Sequence, residues 1–133
     1  MYVSVVGSGY VGTTVAACLA ECGHEVLTID VDEAIVEAIN RGQAPLHEPG
    51  LDELVANYGG STLRASTEYT ALPETDLTLL ALPTPSDEDG TMDLSAMQAG
   101  VRAIADVLAT AEADQETPHP VVTKSTVIPG TTE

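Results

Sequence analysis

Tyr2-Val3-Ser4-Val5-Val6-Gly7-Ser8-Gly9-Tyr10-Val11-Gly12 decides how this 133-residue chain folds. Tyr2 to Val6 is a short, β-rich apolar run that ends in Gly7, which reads as a buried strand. From Tyr10 to Cys22 the apolar positions Val11, Val15, Cys18, Leu19 and Cys22 recur at helical spacing, and Gly23 supplies a stop. Glu25 to Ile29 reads as a second strand, closed by Asp30. A Gly-x-Gly-x-x-Gly pattern alone is a weak signal. Here it follows a strand, opens a helix, and precedes an acid at the end of the next strand, the context that makes it specific. Gly7 permits the tight turn, Gly9 lets a backbone approach a pyrophosphate, and Gly12 allows close helix–strand packing. The helix N-terminus offers free N–H groups and a positive dipole end to phosphates.

Working outward, strands and helices keep alternating. Asp32 caps a helix running to Asn40, with Gly42 ending it. Pro45 to Gly50 is a loop, and Leu51 to Tyr58 is a helix stopped by Gly59-Gly60. Thr62 to Ala65 reads as a short strand, followed by a helical turn near Tyr69. Asp76 to Leu82 is the most apolar strand and runs into Pro83-Thr84-Pro85 and an acidic loop through Gly90. Asp93 caps a long helix to about Ala109, with Leu94, Met97, Val101, Ile104 and Leu108 on one face. A polar stretch, Glu112 to Pro118, leads to a last strand at Val121-Val122, expected to be buried and parallel. The fold class is therefore α/β: a Rossmann-type, doubly wound, mainly parallel sheet with helices on both faces. Residues 1–133 form one such domain, with no internal repeat or linker.

Asp30 would accept hydrogen bonds from a ribose 2′-hydroxyl. Its charge repels a 2′-phosphate, and no Arg or Lys lies between Asp30 and Asn40 to neutralise one, so NAD is expected rather than NADP. Ligands of open α/β sheets gather outside the C-terminal strand edges. Thr84, after the fourth strand, and Ser125-Thr126, after the last, belong on that edge. On residue type alone, turn and capping chemistry explains them as well.

The charge balance is lopsided. Acidic residues number 21 against four Lys and Arg, for a net charge of −17, and Lys124 is the only lysine. Such a field repels nucleic acid and anionic lipid, so neither is an expected partner. The acids are scattered among patterned apolar segments, with Asp87-Glu88-Asp89 the longest block, which argues against an acidic disordered tail. Near-absence of lysine favours adaptation to a salt-rich cytoplasm, where screening cancels self-repulsion. No apolar run is long enough to span a bilayer, and Met1-Tyr2-Val3-Ser4 lacks a basic leader, so a cytoplasmic location is expected. Cys18 and Cys22 are too few for a zinc site and are expected to be small buried side chains.

Gly7 to Gly12 with Tyr10-Val11, then Gly23-His24, Asp30, Glu48-Pro49-Gly50-Leu51, Pro83-Thr84-Pro85, and Lys124-Ser125-Thr126-Val127 with Gly130-Thr131-Thr132 occur in an order that resembles the UDP-glucose/GDP-mannose dehydrogenase family. The resemblance covers essentially the whole chain. It implies oxidation of the C6 alcohol of a nucleotide sugar to a carboxylate in two NAD-consuming steps, as in polysaccharide biosynthesis. By analogy Gly7, Gly9, Tyr10, Val11, Gly12 and Asp30 bind NAD, Thr84 and Ser125 contact it, and Thr126 touches the nicotinamide region while positioning a water, a catalytic role. The family's catalytic Cys and its helpers lie far downstream, and neither Cys18 nor Cys22 matches that Cys. The resemblance further implies a nucleotide-sugar partner and a homo-oligomer for the full-length enzyme. Pro129 to Glu133 looks like the opening turn of a helix, so a truncated chain, inactive by itself, is expected.

One departure stands out. Where many members carry Lys or Arg five residues after the ribose-binding acid, this chain has Ile35, which removes a cationic contact on the adenosine side. The alternative from another class is a non-catalytic NAD-sensing regulatory module, which shares the length, the glycine pattern and the later acid but not the Thr-Pro and Lys-Ser-Thr motifs.

Overall fold

A computed structural model describes residues 1–111, 117–127 and 129–131. The expected alternation is present. Strands β1 (Tyr2–Val6), β2 (Glu25–Ile29), β3 (Leu63–Ser66), β4 (Leu77–Leu80) and β5 (Val121–Thr123) form one sheet in the order β3-β2-β1-β4-β5, every neighbouring pair parallel. Helices α1 (Tyr10–Glu21), α2 (Glu33–Asn40), α3 (Leu51–Tyr58) and α4 (Ser95–Ala111), with a 3₁₀ turn at Leu72–Glu74, cover it. Strand order runs outward from β1 to β3 and then restarts on the other side of β1 at β4. The two strands whose outgoing chains diverge are thus β1 and β4, and a crevice opens at their C-terminal ends.

Alternation along each strand builds two cores. Val3, Val5 and Val26 face Ala16, Ala17 and Ala20 of α1, Ile39 of α2, and Leu51 and Val55 of α3. Val6, Leu27, Ile29 and Leu80 face Leu72 of the 3₁₀ turn and Met97 and Ile104 of α4. Ser4 and Thr78 are fully buried in the sheet itself, and their hydroxyls bond each other at 2.6 Å, which removes the cost of burying either alone.

Several boundaries follow the sequence closely. The Asp32 carboxylate accepts from the Ala34 amide to cap α2, Gly42 takes a left-handed φ of 75° after it, and Asp93 accepts from the Ser95 amide at 2.9 Å at the start of α4. Strand β4 is shorter than the apolar run at both ends: Asp76 precedes it, its carboxylate accepting from the Tyr2 amide at 2.7 Å, and Ala81 and Leu82 belong to the exit that lines the cavity described below. The helical turn expected near Tyr69 is the 3₁₀ turn just beyond it, where the Leu72 amide donates to the Tyr69 carbonyl. Pro129 to Thr131 form a turn, while Thr132, Glu133 and the first part of the polar stretch at 112–116 lie outside the described residues.

Three expectations fail. The buried stripe of α1 is Gly12, Thr13, Ala16, Ala17 and Ala20, not the Val11–Val15–Cys18–Leu19–Cys22 series. A Cβ on Gly12 would lie 1.8 Å from the Gly7 carbonyl oxygen, so this helix packs too closely for large side chains. Larger residues rotate outward, and Cys18 and Cys22 are exposed rather than buried. On α4 the expected face holds at Met97 and Ile104, which are buried, and at Leu108, which packs on the same core, but fails at Val101, which is 45% exposed while Gly100 is buried in its place. Finally, β5 is parallel as expected but not buried: Val121 and Val122 are 42% and 46% exposed, because β5 is the sheet edge and pairs only with β4. Apolar composition identified a strand there, but not its number of neighbours.

Candidate functional site

Every loop leaving a strand top between β2 and β5 opens onto one cavity of about 900 Å³. Its wall takes Gly7 to Val11 from the β1 exit, Asp30 and Val31 from β2, Ala81 to Thr84 from β4 and Lys124 to Thr126 from β5. The sequence therefore brought Gly7, Gly9, Tyr10, Val11, Asp30, Thr84, Ser125 and Thr126 to a single place. Gly12 stands behind that wall, where its close approach holds α1 against the turn.

The β1–α1 turn is built by backbone. Gly7 has φ of 100°, which L side chains rarely adopt, and a Cβ there would meet the Ala81 carbonyl oxygen at 2.6 Å. Gly9 caps α1 with no side-chain hydrogen bond, and a Cβ on it would meet nothing within 4 Å. That open space faces the cavity beside the amides of the first helical turn. The Ser8 hydroxyl is buried and has no hydrogen-bond partner among the described residues. An uncapped helix start, an empty Cβ position and an orphan hydroxyl in one loop are what a phosphate-bearing ligand would complete. The residues present thus fit a dinucleotide.

Asp30 locks the same turn from the next strand. One carboxylate oxygen accepts from the Ser8 amide at 2.8 Å and the other from the Asp32 amide at 2.9 Å. A carboxylate has about four acceptor positions, so capacity remains for a ribose hydroxyl. Ile35, in place of a basic residue, is half-buried, packs on the α1-side core and lines the cavity. Beside them Tyr69 was missed in the sequence. Burial pushes its phenol up from the usual range, and the Asp30 carboxylate adds to the shift.

At the far end, side chains do the tying. The Thr84 hydroxyl donates to the Thr126 carbonyl at 2.7 Å, and the Ser125 hydroxyl donates to the Leu82 carbonyl at 2.7 Å. The Lys124 and Ser125 amides both donate to the Leu80 carbonyl. Thr84 and Ser125 thereby keep acceptor capacity only, while no partner takes the Thr126 hydroxyl among the described residues. Ala96, Ala99, Gly100 and Ala103 of α4 floor the cavity, and these too were missed. Their i, i+3, i+4, i+7 spacing of small residues was the available signal.

Residues 1–133 match the model of the UDP-glucose/GDP-mannose dehydrogenase family, NAD binding domain. The chain belongs to this family. It is 54% identical over 132 residues to UDP-glucose 6-dehydrogenase AglM of Haloferax volcanii, covering 99% of this chain and 30% of that protein. Among solved structures it resembles a ternary complex of GDP-mannose dehydrogenase from Pseudomonas aeruginosa, with TM-score 0.90 and 34% identity, covering 98% of this chain and 30% of the other. A UDP-glucose dehydrogenase from Pyrobaculum islandicum gives TM-score 0.87 and 36% identity, with the same coverages. The chain thus spans about a third of the length of these relatives. As the family's NAD-binding domain it takes NAD as its cofactor, and the regulatory-module alternative finds no support in these similarities.

Proposed function

We propose that this chain supplies the NAD site of a nucleotide-sugar dehydrogenase that oxidises the C6 alcohol of UDP-glucose, or a related UDP- or GDP-sugar, to the uronate in two NAD-dependent steps. The observation that carries this reading is the convergence of Gly7 to Val11, Asp30, Thr84 and Lys124 to Thr126 on one cavity, in a chain matching the family from end to end. Bound NAD would supply a hydride acceptor. The Gly7–Gly12 turn holds its phosphates, Asp30 its adenosine ribose, and Thr84 and Ser125 accept hydrogen bonds near its far end. Thr126, whose hydroxyl no described residue engages, is the residue we place beside the nicotinamide, where it positions a water.

The nucleophilic Cys and the sugar-binding residues belong to further domains of a longer, homo-oligomeric polypeptide, so this chain alone turns over no nucleotide sugar. Among the described residues no helix is long and apolar enough to cross a membrane, and the −17 charge favours a salt-rich cytoplasm as the working environment. Neither nucleic acid nor membrane is a partner on this reading. The test is to assay NADH formation with UDP-glucose for this chain and for the polypeptide encoded by its full reading frame. The longer protein should form two NADH per sugar and the 133-residue chain none. Steady NADH formation by the short chain, lost on substituting Cys18 or Cys22, would show the chemistry to be misplaced.

A further inference from the structure

Among the described residues lining the cavity, two are charged, Asp30 and Lys124. The strand order puts them at opposite ends: Asp30 leaves the top of β2, Lys124 the top of β5, with β1 and β4 between. Three inter-strand spacings separate those two strands, roughly 14 Å. Lys124 is exposed and has no ion-pair partner among the described residues, whose one salt bridge joins Arg41 to Glu37. In a chain of net charge −17, the only lysine stands at one end of the cofactor cavity, with no ion-pair partner among the described residues.

Asp30 fixes the direction of the dinucleotide on the reading above, adenosine toward β2 and nicotinamide toward β5. Oxidised and reduced NAD share the same two phosphate charges and differ by the positive charge of the nicotinamide ring. The acidic protein as a whole therefore favours the oxidised form, which is the less negative of the two. A cation at the nicotinamide end acts in the opposite sense, because it repels the oxidised ring and is indifferent to the neutral reduced one.

We propose that Lys124 is a redox-state specificity residue: its ammonium offsets the acidic field at the nicotinamide end and keeps affinity for NADH from falling behind that for NAD⁺. The proposal rests on the NAD assignment and deepens it, by giving the lone lysine a charge-discriminating role beyond attraction of phosphates. Attraction of the phosphates would strengthen both forms alike. Discrimination moves their ratio.

The experiment is calorimetric titration of the chain with NAD⁺ and with NADH, at the lowest ionic strength at which it stays folded. In Lys124→Gln the NADH affinity should fall about threefold more than the NAD⁺ affinity, the scale of one unit-charge interaction across a partly hydrated cleft. Lys124→Arg should restore the original ratio. Arg64→Gln, which removes the same charge from β3 away from the cavity, should leave it unchanged. An equal loss for both forms in Lys124→Gln, or no change in either, would overturn the proposal while leaving the NAD site intact. Failure of the unsubstituted chain to bind either form would instead remove the NAD assignment, and this inference with it.

Discussion

The two ends of the cavity are made in different ways. At the β1–α1 turn the backbone is the structure: Gly7 and Gly12 press against the Ala81 and Gly7 carbonyls, and neither position has room for a side chain. At the β5 exit the strand is an exposed edge, held to β4 by the Thr84 and Ser125 hydroxyls and two amides on the Leu80 carbonyl. The first end is held by sterics over a few residues, and a single methyl group would break it. The second is held by individually modest hydrogen bonds between segments some forty residues apart, each replaceable at moderate cost. A ligand bridging both ends would therefore find one rigid wall and one adjustable wall.

The largest effect should come from breaking the rigid end. Gly12→Ala puts a methyl into the Gly7 carbonyl, and we predict a loss of about 2–4 kcal/mol, read as a melting temperature roughly 10 °C lower. A melting temperature within a degree or two of the original would mean that α1 can back away and that the turn is not rigid. Lowering ionic strength tests both ends together. The Debye length grows from about 3 Å at 1 M to about 10 Å at 0.1 M, so repulsion within the −17 surface extends and the melting temperature should fall. A flat response from molar to millimolar salt would remove the salt-adaptation reading.

Gly9→Ala separates fold from function at the rigid end. Its φ of −75° suits any residue and a Cβ meets only open space, so stability should change by less than about 1 kcal/mol. NAD affinity should nevertheless fall about tenfold or more, since the methyl occupies the phosphate approach. Unchanged affinity would place the phosphates elsewhere. The smallest effect belongs to the adjustable end. Thr84→Val deletes one exposed hydrogen bond to Thr126 and should cost about 0.5–1 kcal/mol by denaturant titration. A loss as large as that of Gly12→Ala would erase the contrast between the ends.

The same contrast explains what was legible in the sequence. Gly7, Gly9, Gly12 and Asp30 could be read because the turn is local and its steric needs leave few choices of residue. Strand β4 could be read from its apolar run. Burial of Cys18, Cys22, Val121 and Val122 was misjudged because periodicity reports apolar character, whereas burial depends on neighbours far along the chain. In α1 a close approach selected small residues for the inner face, and a tally of large apolar positions points to the wrong side. Thr84, Ser125 and Thr126 are ordinary turn residues by type. Their convergence depends on β4 pairing with β5, and only the family motif signalled it. Tyr69 carries no chemical signature, and the small-residue stripe of α4 carries only its spacing; the sheet brings both to the cavity.

The central claim is that Asp30 and the Gly7–Gly12 turn form a site for NAD with its 2′-hydroxyl unsubstituted. Titrating the chain with NAD⁺ and NADP⁺ at high salt, before and after Asp30→Ala, tests it most directly. The account predicts clearly tighter binding of NAD⁺, with the gap narrowing in the variant as the carboxylate that repels a 2′-phosphate is removed. Equal or tighter binding of NADP⁺ by the unsubstituted chain would contradict it.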